Sequence, residues 1–170
     1  MSFTITNREY IKDVISSPTI GLFQNEAFSV QPALATTFPW LHNIANSFDQ
    51  YYFHGLEFHY KSFSGDNTTT GAQGSVILAQ EPNVNQTAYS SKTGMENSHG
   101  AVSRKQNQSS FIRISPMTEP LYLRNFILGT NDPLKFYDHS LFQLATVGFP
   151  TANFVAGELW VAYKVTFLKP

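Results

Sequence analysis

Gly157-Glu-Leu-Trp-Val-Ala-Tyr-Lys-Val-Thr-Phe-Leu-Lys-Pro170 closes the chain and decides its fold. Leu159, Val161, Tyr163, Val165 and Phe167 alternate with Glu158, Trp160, Ala162, Lys164 and Thr166. A period of two with one strongly apolar face predicts a long strand packed on a core. Glycine opens it, and proline, which cannot continue a ladder, stops it. A strand of this length at the end of a chain needs a partner made much earlier. The pattern therefore predicts a sandwich or barrel of sequence-distant strands, not a series of local hairpins.

The rest of the chain agrees. Its 170 residues suffice for one domain with a real core. Aromatic residues make up 15%, mostly Phe and Tyr, which favour strands. Only 14% are charged, against about 25% in an ordinary soluble domain. So little charge defends a surface poorly against association, which points to faces covered by other subunits. The net charge of -1 gives no overall pull toward nucleic acid or membrane. The lack of cysteine excludes disulfides and thiol chemistry. No apolar run reaches the ~18 residues of a membrane span, and the N-terminus lacks the pattern of a signal peptide.

Strands are predicted over 3–16, with a bulge near Asn7, and over 27–32, 51–63, 74–79, 100–106, 110–115 and 134–147, before the terminal one. In the third, Tyr52, His54, Leu56, Phe58 and Tyr60 are expected on one face, with Phe53, Glu57, His59 and Lys61 on the other. Leu41, Ile44, Ala45 and Phe48 recur at helical spacing behind Pro39, predicting a helix over 37–48. A helical turn is expected near Ser91. The sum is all-β: an eight-stranded antiparallel jelly-roll sandwich, with one short helix between the second and third strands.

Several segments resemble the shell of small icosahedral viruses. Thr6-Asn-Arg-Glu-Tyr-Ile-Lys-Asp13 resembles the first strand of single-jelly-roll coat proteins. Thr37-Phe-Pro-Trp-Leu and Tyr51-Tyr-Phe-His-Gly-Leu-Glu-Phe resemble their helix and long strand. Leu141-Phe-Gln-Leu-Ala-Thr-Val-Gly148 and Gly157-Glu-Leu-Trp-Val-Ala-Tyr resemble their last two strands. By pattern the chain is similar to the shell domains of tombusvirus-like plant RNA viruses. It is also similar to capsid proteins of small circular single-stranded DNA viruses that encode a replication initiator, the group toward which its short length leans. The resemblance implies a non-enzymatic capsid protein of the virion, assembled in the host cell as a homo-oligomer of about sixty copies in the simplest closed shell. In two respects the sequence is expected to depart from that pattern: 1–170 reads as a single shell domain, without the basic N-terminal arm or the protruding domain common in tombusvirus-like proteins. Viral nucleic acid would then be held weakly, and no membrane partner is expected.

Five basic residues are candidates to face a genome: Arg8, Lys12, Arg104, Lys105 and Arg113. Arg104 and Lys105 are expected beside Arg113 across a hairpin, and Glu9 and Asp13 to offset Arg8 and Lys12 in part. Scattered surface charge is the competing reading. Trp40, Phe58, Phe142 and Trp160 are expected as core or interface anchors rather than base-stacking platforms. Gly129-Thr-Asn-Asp-Pro133 and Gly65-Asp-Asn67 offer oxygen ligands for calcium, which related shells often hold between subunits; turn chemistry explains these loops equally. No other cofactor is implied. His42, His54, His59, His99 and His139 lack a metal-catalytic spacing, and no Gly-x-Ser-x-Gly, phosphate loop or dinucleotide fingerprint occurs. A carbohydrate-binding jelly roll using Trp160, Glu158 and His59 is the alternative.

Overall fold

The computed structural model describes residues 1–64, 74–124 and 133–170. Among the described residues are nine strands, one more than the eight expected because the two-residue β7 adds to them: β1 (Ser2–Ile15), β2 (Gln24–Ser29), β3 (Gln50–Ser62), β4 (Ser75–Glu81), β5 (Val102–Lys105), β6 (Ser110–Arg113), β7 (Leu121–Tyr122), β8 (Leu141–Val147) and β9 (Val155–Leu168). Helix α1 (His42–Ala45) lies between β2 and β3, and α2 (Lys92–Glu96) between β4 and β5. One sheet has the order β1-β9-β3-β6, with β7 pairing the start of β3; the other has the order β2-β8-β4-β5. This is the jelly-roll arrangement.

The terminal strand finds its early partners on both sides. β9 pairs with β1 from Ser2↔Leu168 to Ile15↔Val155, and with β3 from Gln50↔Leu168 to Ser62↔Gly157. Its alternation holds: Leu159, Val161, Tyr163, Val165 and Phe167 are all buried. Gly157 is glycine for a steric reason. A Cβ there would press into the Lys61 carbonyl oxygen and stand 2.9 Å from Tyr60 Cε2, where β3 crosses it closely.

The bulge in β1 falls between Tyr10 and Lys12, not near Asn7. A second bulge, between Phe53 and Gly55 of β3, changes the expected faces. The extra residue shifts the phase, so Tyr51 and Phe53 point inward before it and Leu56, Phe58 and Tyr60 after it. Tyr52 and His54 therefore leave the core face, and Phe53 joins it.

The predicted helix over 37–48 shrinks to α1 flanked by turns. Pro39 and the polar run Asn43, Asn46, Ser47 are poor helix formers. The apolar stripe still works, with Leu41 and Ala45 fully buried and Ile44 and Phe48 packed beside them. Glu9 holds the entry: its carboxylate accepts from Trp40 N (3.0 Å), Leu41 N (3.3 Å) and the Tyr163 hydroxyl (2.7 Å). The expected strand over 134–147 begins only at Leu141, after a 3-10 turn at Leu134–Phe136. Asp138 imposes that turn. It is buried and gripped by Arg124 through two 2.7 Å bonds, which no exposed strand residue would allow.

The main core lies between the sheets. Phe58 of β3 stacks on Phe142 of β8 with ring centroids 3.9 Å apart, joining the two layers at their centre. A second, smaller core covers the outer face of the β2-β8-β4-β5 sheet. There Ile77, Ala79 and Ala145 meet Met95 of α2, with Tyr89 and Phe23 beside them. The turn expected near Ser91 is α2, whose N-cap serine accepts from Gly94 N. Gln143, on β8, fastens this covering by accepting from Tyr89 N (2.8 Å) and Asn25 Nδ2 (2.6 Å). Being covered on both faces explains why β4 reads Val-Ile-Leu-Ala rather than as an alternation. The outer face of the other sheet carries no such cover among the described residues.

Candidate functional surfaces

Two surfaces stand out. The first is one end of the sandwich, where β1 and β3 end and β9 begins. Ile15 pairs with Val155 in register, Ser16 N donates to Phe154 O, and Phe63 N donates to Ala156 O. Gly21 N donates to Phe149 O, bringing in the turn that carries Ile20 and Leu22. Ile15, Ile20, Leu22, Phe63, Phe154 and Val155 are all exposed, Ile20 to 67%. An apolar grouping of this kind on a monomer marks a contact surface.

The second is the uncovered face of the β1-β9-β3-β6 sheet. Register places side chains on it in rows across the strands. One row is Tyr10, Trp160, His59 and Phe111, one ring from each strand. The next is Arg8, Ala162, Glu57 and Arg113. The third is Thr6, Lys164 and Gly55, at the bulge. The Arg8 guanidinium lies 4.7 Å from the Trp160 ring centre, and Tyr10 meets that ring edge-on at 5.8 Å. Phe111 stacks on His59 at 5.5 Å. Glu57 accepts from Arg113 Nε (2.8 Å) and pairs with His59 (2.9 Å). Burial alone would raise the Glu57 carboxyl, but the bonds from Arg113 and His59 outweigh it and hold the group below its usual range.

The order of the elements, the two sheets and the helix position are those of a coat-protein shell, and residues 1–170 match a family described as "Viral coat protein (S domain)". The chain belongs to that family. It is 42% identical over 79 residues to the capsid protein of Cucumber necrosis virus, covering 42% of this chain and 20% of that protein. It is 27% identical over 180 residues to the capsid protein of Tomato bushy stunt virus (strain Cherry), covering 99% of this chain and 42% of that protein. The crystal structure of Cucumber Necrosis Virus aligns with TM-score 0.86 at 23% identity, over 99% of this chain and 56% of that one. The S domain thus spans less than half the length of the capsid proteins it matches in sequence. These similarities are to tombusvirus-like capsids, and they lend no support to the circular-DNA-virus resemblance.

The sequence-derived candidates separate on this S domain. Arg8 and Arg113 share the uncovered face, but Arg104 and Lys105 do not join them. β5 pairs with β4 in one sheet and β6 with β3 in the other, so 106–109 crosses between layers instead of closing a hairpin. Gln106 fixes the crossing: its N–H donates to Gly74 O, while its carbonyl accepts from Tyr60 of the opposite sheet at 2.6 Å. Lys12 is committed to Glu26 at 2.9 Å, a bridge from one sheet to the other. Glu9 does not offset Arg8, because it is buried on the opposite side of β1. Asp13 instead accepts from the Tyr10 hydroxyl (3.0 Å).

Phe58 and Phe142 are core anchors, both fully buried. Trp40, 47% exposed, is not a core residue. Trp160 is half-buried on the uncovered face, so of the two expected roles, core or interface anchor, it does not take the core one. Strand alternation put it on the outward set, and that simple count was the better guide. Lys164 and Gly55 were missed: lysine on a strand carries no signal alone, and the bulge that aligns the two is invisible in the sequence. Among the described residues no three His, Asp or Glu gather as metal ligands. The loops considered for calcium, 65–67 and 129–133, lie outside the described residues except for Pro133.

Proposed function

We propose that this chain is a structural, non-catalytic shell-forming domain that assembles with copies of itself into the icosahedral capsid of a virion. The observation that carries it is the exposed apolar end of the sandwich. A surface holding Ile20, Leu22, Phe63 and Phe154 in the open suits burial against equivalent ends. The low charge fraction supports the same reading, since broad polar flanks cost little to bury at many weak, repeated contacts. The simplest closed shell takes about sixty copies. The net charge of -1 gives no overall attraction for phosphates, so nucleic acid is held weakly and assembly is driven by protein burial, with no membrane involved.

Negative-stain microscopy of the purified chain tests this. Uniform closed particles are expected. A field of small oligomers, unchanged by concentration or salt, would contradict it and favour a carbohydrate-binding jelly roll.

A further inference from the structure

We propose that the strap 114–117, which carries the chain out of β6, is an acid-released latch with His139 as its catch. At the β3 bulge the uncovered face sinks into an open groove of about 650 Å³, and Ile114, Ser115, Pro116 and His139 help to wall it. The strap is tied to both sheets. On one side Met117 meets the bulge: its sulfur accepts from Phe53 N (3.1 Å) and its carbonyl from the Tyr52 hydroxyl (2.9 Å). On the other side Ser115 is held at each of its polar atoms. Its N–H donates to Gln80 Oε1 (3.0 Å), its hydroxyl accepts from Gln80 Nε2 (2.8 Å), and its carbonyl accepts from His139 Nε2 (2.7 Å). Gln80 belongs to β4 and His139 stands just before β8, so these bonds reach the strap from the side of the second sheet. Pro116 keeps Ser115 extended, which leaves the strap little freedom to find other partners.

The catch is sensitive to protons because of where it sits. Burial holds the His139 imidazole below the usual histidine range, and the bond to the Ser115 carbonyl opposes this in part. The ionisable groups around it are engaged with one another. Asp138 is gripped by Arg124, and Arg113 is bonded to Glu57. Glu81, the neighbour of Gln80, accepts from Asn83 N and the Tyr89 hydroxyl. Along the groove, His54 is bonded to Thr166 and Tyr163 turns inward to Glu9. Arg8 and Lys164 line the same groove and add positive charge to it, which disfavours a further cation. A base with a depressed pKa binds fewer protons in the closed state than when released. The latch is therefore fully set above pH ~6.5 and loosens as pH falls below it. One proton taken up per release raises the open-to-closed ratio by at most about tenfold per pH unit. Release takes away one wall of the groove and parts the two sheets along this side.

NMR of the chain labelled at its methionine methyls, kept unassembled, reads the latch. The sequence holds three methionines: Met117 in the strap, Met95 buried in the second core, and Met1 at the exposed terminus. From roughly pH 7.5 to 5, the Met117 methyl should shift or broaden along the same titration curve as the His139 Cε1 proton, while Met95 holds still. His139→Gln, which keeps a donor but takes up no proton, should leave Met117 unmoved across that window. Gln80→Ala removes two of the bonds to Ser115 and should move the midpoint up toward pH ~6.5. The proposal is overturned if His139 titrates with no response at Met117, if the response persists in His139→Gln, or if Gln80→Ala leaves the midpoint in place. Movement of Met95 together with Met117 would overturn it too, since that marks general unfolding. Particle formation plays no part in this readout, so failure of the latch leaves the capsid reading standing.

Discussion

Replacing Phe142 by alanine should cost far more than replacing Trp160, although both are large aromatics on late strands. Phe142 is fully buried, stacked at 3.9 Å on Phe58 and 5.8 Å from Phe28. A phenylalanine hides about 200 Å², which at about 25 cal/mol per Å² gives an upper value near 5 kcal/mol. Measured truncations of this kind run about 3–5 kcal/mol, so we expect about 4. Loss of the stack that joins the two sheets at their centre leaves a hole that β3 and β8, held in register by their neighbours, cannot close. For a domain of this size that lowers Tm by roughly 8–16 °C. Trp160 rests on the outer face against Arg8 and Tyr10, half in water. A cation–π contact and an edge-on ring pair at an exposed site contribute about 1–2 kcal/mol together. Urea unfolding, followed by circular dichroism at a concentration that keeps the chain unassembled, reads both. Equal losses, or a larger loss for Trp160→Ala, would refute the assignment of the two faces.

Gly157→Ala should destabilise the fold by about 2–3 kcal/mol or more, because the new methyl meets the Lys61 backbone at the β9–β3 seam, where no side chain can turn aside; unchanged urea unfolding would contradict this. Ile20→Asp combined with Phe154→Asp should leave the fold intact and stop particle formation, read by sedimentation velocity, and particles of normal size would show that the apolar end is not a contact. Alkali should unfold the chain through its buried phenols. Burial pushes Tyr60 up to about 12, and burial raises Tyr51 and Tyr163 as well, with Asp138 and Glu9 adding to it respectively. Their neutral forms thus stabilise the fold fully below pH ~10, and that contribution is lost as pH rises toward 12. Absorbance at 295 nm should show these hydroxyls ionising late and together with unfolding. Ionisation of all eight tyrosines near pH 10 with the fold retained would sink the idea.

Much of the fold was legible because β9 is long and sits at a boundary between core and water, where its alternation holds from Gly157 onward. β4 was legible for the opposite reason, being buried on both faces. The phase error in β3 came from a bulge, which inserts one residue at His54 without any sequence mark. The turn before β8 was missed because Arg124 and Asp138 are far apart in sequence and meet only after folding. The same limit governed the surfaces. Arg104, Lys105 and Arg113 look adjacent along the chain, yet a four-residue crossing sends them to different sheets. Tyr10, Trp160, His59 and Phe111 look unrelated along the chain, yet pairing register sets them side by side.

The central claim is that this chain closes into a shell, and absolute molar mass tests it most directly. Size-exclusion chromatography with multi-angle light scattering at neutral pH should give a single species on the order of 1.1 MDa, about sixty copies of a 19.1 kDa chain, or a larger closed multiple. A monodisperse 19.1 kDa species that persists at high concentration would contradict the account.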